Sequence, residues 1–523
     1  MNTIYQKIIK EALGKKPKTE KDLLKIKRWA AKKFKIKTPS NINLNKVYQE
    51  LIKKGKAKEN KNLKELLKKR KVRSLSGVAV VSLLTKPYPC PGKCIYCPKE
   101  KNIPQSYLSG EPAVQRAKAL KYDPYLQVQK RIEMLKDQGH PTDKIEIRII
   151  GGSFSAYPEK YKKWFLKKCL EAANEKKHKT LEKTQHFNEK AKHRIVGVSI
   201  ETRPDLIDKK EIILMRSLGI TMVEIGVQTT FDKVLKKCQR GHTTKETIKT
   251  TKLLKDAGFK VMYHLMPNLP GSDIKKDKKT FKEIFENQNF RPDWLKIYPC
   301  VATKNALIYK LYKQKKWKPY SDKKLTNLLL ATKPNLPYWV RVARVWRDIP
   351  SDKIIAGSLV SNIREVIEKK MKANKLSCKC IRCREVKEKY NPKEKIYLFR
   401  ENYKASKGEE IFLSIETKNK KKLYAYLRLR IPKKEKTETI FPVLENSAII
   451  REIHTFGKVV QIGKKETSPQ HQGFGKKLTR EAEKIAKKEF KLKKIAVISG
   501  VGAREYWKSQ GYKLKESYMV KKI

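Results

Sequence analysis

Three cysteines carry the most distinctive chemistry in this chain. Cys90, Cys94 and Cys97 stand in the stretch Tyr-Pro-Cys-Pro-Gly-Lys-Cys-Ile-Tyr-Cys-Pro, spaced C-x3-C-x2-C with no fourth cysteine nearby. A closed zinc site takes four ligands, and an ordinary four-iron cluster also takes four cysteines. Three thiolates leave one iron of such a cluster without a protein ligand. An open iron can bind a substrate or cofactor, which is what radical chemistry with S-adenosylmethionine (SAM) requires. Pro89, Pro91 and Gly92 make the loop tight enough to wrap a cluster. The competing reading is a zinc knuckle completed by a distant ligand, and Tyr96 before the last cysteine counts against it.

A second cysteine group, Cys378, Cys380 and Cys383, reads C-x-C-x2-C with basic flanks and is a zinc candidate. Its alternative is three free thiols in a surface loop. Further on, residues 470–475 (Gln-His-Gln-Gly-Phe-Gly) open a helix from Lys476. Backbone N–H groups at such a start, with the positive helix-dipole end, suit the pyrophosphate of coenzyme A. A glycine turn that only caps the helix is the plainer account.

The elements that must hold these residues follow from the apolar pattern. Short runs at 78–84, 145–150, 195–200, 222–227, 260–265 and 294–298 alternate with longer amphipathic stretches. Strand then helix, repeated about six times, predicts a parallel sheet. In barrels built this way chemistry lies at the C-terminal ends of the strands. Gly151, Gly152, Glu201, Gln228 and His264 fall there. Residues 176–192 read as a hydrophilic insertion. After about residue 396, runs at 411–415, 423–429 and 448–454, then the glycine loop, a strand at 494–499 and Tyr506 on a helix, follow the order of a GNAT-type acetyltransferase.

The 523 residues suffice for about three domains. Against 53 acidic residues stand 125 Lys and Arg, a formal charge of +72. Heat-adapted proteins that are rich in Lys usually raise Glu with it, so a polyanion is expected, nucleic acid first and a membrane surface second. Residues 1–73 hold 25 basic and 6 acidic residues with Leu and Ile at helical spacing. They read as a basic helical clamp for nucleic acid or as a solvated bundle. Arg341, Arg344 and Arg347, interleaved with Trp346, are further candidates for an RNA surface. No apolar run nears the ~20 residues of a membrane span, and residues 1–10 lack a signal-peptide core, so a cytoplasmic, membrane-free protein is expected. Its nine cysteines are then poor disulfide candidates.

Many separate blocks, in order, resemble the catalytic subunit of Elongator in its archaeal form. They are residues 200–205 (Ile-Glu-Thr-Arg-Pro-Asp), 224–228 (Glu-Ile-Gly-Val-Gln), 240–243 (Arg-Gly-His-Thr) and 266–270 (Met-Pro-Asn-Leu-Pro). Residues 347–350 (Arg-Asp-Ile-Pro), 451–454 (Arg-Glu-Ile-His), the 470–475 loop and 498–502 (Ile-Ser-Gly-Val-Gly) complete the set. The resemblance implies an α/β protein: a radical SAM partial (β/α)6 barrel at 76–365, followed by a GNAT acetyltransferase domain at 396–523. A basic helical tRNA-binding region at 1–75 and a metal-binding cysteine linker at 366–395 complete it.

The implied activity is tRNA carboxymethyluridine synthesis at the wobble uridine. Cys90, Cys94 and Cys97 would hold a [4Fe-4S] cluster whose open iron chelates SAM. Gly151 and Gly152 would admit the methionyl end of SAM, with Glu201 and Gln228 as polar contacts. The SAM-derived 5′-deoxyadenosyl radical would take hydrogen from the methyl group of acetyl-CoA, the carbon radical would add to C5 of uridine, and hydrolysis would release CoA and leave a carboxymethyl group. The resemblance places acetyl-CoA against Lys144, Glu452, Ile453, His454, Thr455, Phe474, Gly475 and Lys476, beside Gln470 and Gly473 of the loop. Tyr506 would donate its hydroxyl to the thioester; the paired second tyrosine of the family is Trp507 here. Partners are thus tRNA and acetyl-CoA; a homodimer is compatible with the sequence, and no accessory subunit is specified. Two other functions compete: a protein lysine acetyltransferase with a structural iron-sulfur cluster and Glu452 as nearby base, and an RNA-binding scaffold without turnover.

Overall fold

In the computed structural model, which describes residues 2–69, 75–360, 362–387, 390–432, 439–457, 470 and 472–523, all six apolar runs of the central region become strands. They are β1 (Ala79–Leu84), β2 (Lys144–Ile150), β3 (Arg194–Thr202), β4 (Met222–Gln228), β5 (Lys260–Leu265) and β6 (Trp294–Ile297). A seventh, β7 (Arg341–Arg344), joins them, so one residue group read as surface is a strand. All neighbours are parallel, in the order β1 to β7, and β1 does not pair with β7. The sheet is an open, curled half-barrel. Alternation decides its two faces. Val81, Leu83, Ile145, Ile147, Val223, Ile225 and Val261 pack outward in the main core with residues such as Phe165 and Leu254 from the crossover helices. Lys144, Glu146, Arg148, Glu224, His264 and Lys296 occupy the other set of positions and line cavities.

The stretch 176–192 is more than a hydrophilic insertion. It forms a helix, Leu181–Asn188, capped by Thr180 and burying Leu181, Thr184, Gln185 and Asn188. Asn188 Oδ1 accepts from the Ile195 N–H at 2.8 Å and so holds the start of β3.

The second sheet contains β8 (Tyr397–Ala405), β9 (Gly408–Glu416), β10 (Leu423–Ile431), β11 (Ser447–Thr455), β12 (Lys494–Val497), β13 (Lys513–Lys515) and β14 (Tyr518–Lys522). Its order is β13-β14-β12-β11-β10-β9-β8, antiparallel except for the parallel pair β11 and β12. The helix Phe474–Lys488 buries Leu478, Ala482 and Ile485 in the same core. β11 and β12 stay paired only from Ser447 with Lys494 to Ile450 with Val497. Beyond that they part, and β11 carries a bulge at Arg451, because Arg428 pairs with Glu452 but Leu429 with Ile450.

Buried charges join the two sheets. Arg451 meets Asp293 at 2.5 Å and Glu410 at 2.9 Å, and Arg430 meets Glu410 at 3.0 Å. Gly500 and Gly502 let the loop after β12 lie on the backbone of β3: a Cβ at Gly502 would sit 2.7 Å from the Ile195 nitrogen, and one at Gly500 would collide with the Val196 carbonyl.

The N-terminal helices Asn2–Lys15, Glu20–Lys33, Asn41–Lys53 and Lys61–Leu67 enclose a separate core that includes Ile8, Leu23, Leu44, Tyr48, Leu51, Leu63 and Leu67. Thr19 and Asp22 form a reciprocal cap on the second helix, and Ser40 and Asn60 cap the next two. Asn45 Nδ2 donates to the Asp137 carbonyl at 2.9 Å and ties this bundle to the barrel.

Candidate active site

The half-barrel has a cavity at each end. At the C-terminal ends of the strands lies one of about 570 Å³, lined by Cys90, Cys94 and Cys97 together with Gly152, Ser153, Glu201, Gly226, Gln228 and Arg240. The three cysteines therefore share one space with Gly152, Glu201 and Gln228, three of the four expected SAM contacts; Gly151 does not line it. Among the described residues, two groups of His, Cys, Asp or Glu bring three ligand atoms within 4.8 Å of one another: Cys378, Cys380 and Cys383, and Glu201, Glu224 and His264. Cys90, Cys94 and Cys97 are not such a group. One zinc ion with Zn–S bonds of ~2.3 Å needs its sulfurs that close; a larger multi-iron cluster does not. Arg240 Nη1 donates to Cys94 Sγ at 3.3 Å, and Arg203 Nη1 lies at 3.8 Å. Burial pushes the Cys94 thiol up, but Arg240 and Arg203 outweigh it and bring the thiol below its ordinary value. Burial, reinforced by Cys94, pushes Cys97 up to about 12. Two guanidiniums at a thiolate suit an anionic cluster.

The residues named from sequence as SAM contacts differ in their surroundings. Gly151 has φ +124° and a Cβ there would strike Thr85; Gly152 has φ +99°. Gln228 sits at φ +71°, just past the irregular pairing of β4 with β5. Its Oε1 is buried and has no partner among the described residues, an acceptor that a bound donor would satisfy. Glu201 accepts from Tyr107 Oη at 2.8 Å and from Lys296 Nζ at 3.3 Å. Beside it Lys296 pairs with Glu224, and His264 Nε2 lies 2.9 Å from Glu224 Oε2. Burial raises the Glu224 carboxyl, and Lys296 and His264 reverse this and hold it well below the usual carboxylate range.

At the opposite end, where the strands begin, the two sheets enclose about 760 Å³. Lys144, Glu146, Lys260, Glu452, Ile453, His454, Thr455, Gln470, Gly473, Phe474, Gly475, Lys476 and Tyr506 all line it, so every coenzyme A contact named from sequence converges here. The parting of β11 from β12 forms its wall. Gly473 has φ +74° at the N-cap, and a Cβ at Gly475 would sit 2.7 Å from Tyr506 Oη. Lys144 Nζ donates to Gln470 Oε1 at 2.9 Å, and burial lowers the lysine's affinity for its proton. His471 lies outside the described residues. Trp507 is buried, edge-on to Tyr506 and Tyr512, so it supplies packing.

The second cysteine group, Cys378, Cys380 and Cys383, lies where β7 meets the second sheet: Ile381 N–H donates to the Val340 carbonyl at 2.9 Å, and Lys333 Nζ lies 3.8 Å from Cys383 Sγ. Of the arginines read as an RNA surface, Arg341 is buried against Trp294 and paired with Glu385 at 3.1 Å. Arg347 pairs with Glu111 at 2.7 Å inside the upper cavity, while Arg344 is exposed beside Asp348. Arg341 and Arg344 lie on β7, and Arg347 follows it into the upper cavity; so short and basic a run carries no strand signal in the sequence. Sequence reading also passed over Lys296 and Arg148. The available signal was a charge at an alternating position of an apolar strand, which faces the lumen.

The fold, the open-sided cysteine cavity and a match of residues 88–284 to the model of the radical SAM superfamily define a radical SAM enzyme; residues 292–373 match the Radical_SAM C-terminal domain. Such enzymes use a [4Fe-4S] cluster and SAM. The chain is 48% identical over 469 residues to the tRNA uridine(34) acetyltransferase of Methanocaldococcus infernus, covering 87% of each chain. It is 39% identical over 472 residues to the Elongator complex protein 3 of Homo sapiens, covering 87% of this chain and 86% of that one. The solved structure of the archaeal Methanocaldococcus infernus Elp3 with an N-terminal deletion matches with a TM-score of 0.76 and 44% identity, over 86% of this chain and 100% of the other. The chain belongs to the tRNA uridine(34) acetyltransferase and Elongator complex protein 3 family.

Proposed function

We propose that this protein uses SAM and acetyl-CoA to place a carboxymethyl group on C5 of the wobble uridine of tRNA. The observation that carries the reading is the pair of cavities in one half-barrel, a three-cysteine cavity at one end and, at the other, a cleft walled by the glycine-rich helix start and β11. Cys90, Cys94 and Cys97 would hold the [4Fe-4S] cluster, with Gly151, Gly152, Glu201 and Gln228 against SAM. When bound, that pair supplies hydrogen-atom abstraction; the chain's own residues orient the reactants and exclude water. Backbone N–H groups from Gly473 to Lys476 hold the coenzyme A phosphates at a helix start. The unpaired edge of β11 from Glu452 to Thr455 takes the pantetheine amides. Tyr506 and Lys144 are the donors for the thioester oxygen or departing thiolate. Cys378, Cys380 and Cys383 would hold zinc as a staple between β7 and the second sheet. The tRNA lies on the basic surface, its splayed anticodon bases reaching the upper cavity.

A lysine acetyltransferase would need a base in the lower cavity. Burial would raise Glu452, but Lys260 and Arg428, the latter at 2.9 Å, bring it down to about 2. A carboxylate held that low is a poor proton acceptor at neutral pH. Incubation with acetyl-CoA, SAM, reductant and tRNA, followed by nucleoside mass spectrometry, tests the proposal. Carboxymethyluridine is expected and is lost in Cys94→Ser; acetyllysine without modified uridine overturns the reading.

A further inference from the structure

One layer of side chains inside the barrel separates the two cavities. Met222, Met262 and Trp294 pack as a cluster of their own, apart from the main core, with Ala343 beside them. On β5, Lys260 lines the lower cavity and His264 the upper, and Met262 lies between them. Thr221, just before β4, lines the lower cavity and Glu224 on β4 the upper, with Met222 between them in sequence, and on β2 Glu146 below is paired at 2.7 Å with Arg148 above. Trp294 Nε1 donates to Glu452 Oε2 at 3.4 Å, and the Arg148 guanidinium lies 5.8 Å over its ring. At ~3.3 Å per residue, Lys260 and His264 are about 13 Å apart along the strand. Atom transfer needs reacting atoms ~3–3.5 Å apart. A thioester held wholly in the lower cavity is therefore out of reach of chemistry begun at the cysteines.

We propose that the acetyl end of acetyl-CoA crosses the barrel lumen into the upper cavity, and that Met222, Met262 and Trp294 are the gate it passes. This rests on the function proposed above. The gate suits a slim, neutral thioester arm: its three side chains are themselves apolar, the charges beside them (Arg148, Arg341 and Glu452) are all paired, and two of the three are unbranched side chains with three rotatable bonds that can repack around a guest. The anionic phosphates stay behind at the Gly473 loop, because an apolar layer taxes an unpaired charge heavily. Lys296 and His264 stand immediately above the gate as donors for the arriving carbonyl oxygen. The same layer keeps water from running between the cavities when no arm is present.

Filling or widening the gate tests this. Met222→Trp and Met262→Phe should abolish carboxymethyluridine while acetyl-CoA affinity of the cluster-free protein and SAM cleavage without tRNA stay as in the parent. Met262→Ala should raise the relative kcat/KM for propionyl-CoA by about tenfold, the scale on which one methylene is sensed in an apolar pocket. Modified uridine at the parent rate in the filled, folded variants overturns the gate and leaves the function standing. No modified uridine from the parent overturns the function, and a second measurement then still reads the lumen. In cluster-free Met262→Cys, methyl methanethiosulfonate should modify position 262, mapped by peptide mass, and acetyl-CoA should block it more than CoA does. Equal labelling with and without acetyl-CoA overturns the gate.

Discussion

Arg240 shows how a side chain outside the cysteine motif prepares that motif. It touches Cys94 Sγ, donates to the Gly226 carbonyl at 2.7 Å and sits against His242. Arg240→Leu removes a buried positive charge at a thiolate, so iron retained per chain after anaerobic reconstitution should fall severalfold, with Arg240→Lys intermediate. Iron content equal to the parent in both variants would show that the charge is dispensable. Arg240 was legible as part of a family block, but its partner was not: Cys94 is 146 positions away, and spacing carries no information over that distance. Gln228 and Glu201 were legible because both end strands. Lys296 was not, because its meaning depends on Glu201 and Glu224 arriving from other strands.

At the scale of elements, glycines decide how the second sheet meets the first. A methyl group at Gly500 collides with the Val196 carbonyl of β3, a backbone group that cannot rotate away. Gly500→Ala should cost about 3 kcal/mol, the upper part of the range for overpacking, seen as a lowered Tm with the N-terminal bundle intact. An unchanged Tm would mean that the contact is soft. Acid should loosen the same joint. Glu452, held near about 2 against an ordinary value near ~4.3, has a folded-state value below its unfolded one. Its contribution is complete above about pH 4.3 and lost as pH falls from there through about 2. Asp293, raised by burial but lowered further by Arg451 and Lys255, adds loss of the same sign. Fluorescence-monitored acid unfolding should show stability falling through this window, and Glu452→Gln should flatten that fall. A Glu452→Gln curve parallel to the parent's would remove Glu452 from the account.

At the scale of the molecule, a charge of +72 on 523 residues favours polyanions as partners. Affinity for tRNA should fall linearly with log salt, with a slope of about −0.7 to −0.9 per neutralised phosphate. Fluorescence anisotropy between roughly 50 and 200 mM salt measures it; a flat response would mean that contacts other than phosphate dominate. No helix among the described residues is long and apolar enough to cross a membrane.

Sequence alone determined the chemistry on offer: a loop of three cysteines with no fourth nearby, a glycine-rich helix start, six of the seven barrel strands and the excess charge. These are local properties of spacing, alternation and composition, and the chain displays them before it folds. Only the tertiary structure decided that the two loops serve opposite ends of one half-barrel, that Arg341 is a buried strand residue, and that Met222, Met262 and Trp294 stand between the cavities. Those facts depend on strands far apart in sequence turning alternate side chains into a common lumen. A single methionine in an apolar run looks the same whether it faces a core or a passage.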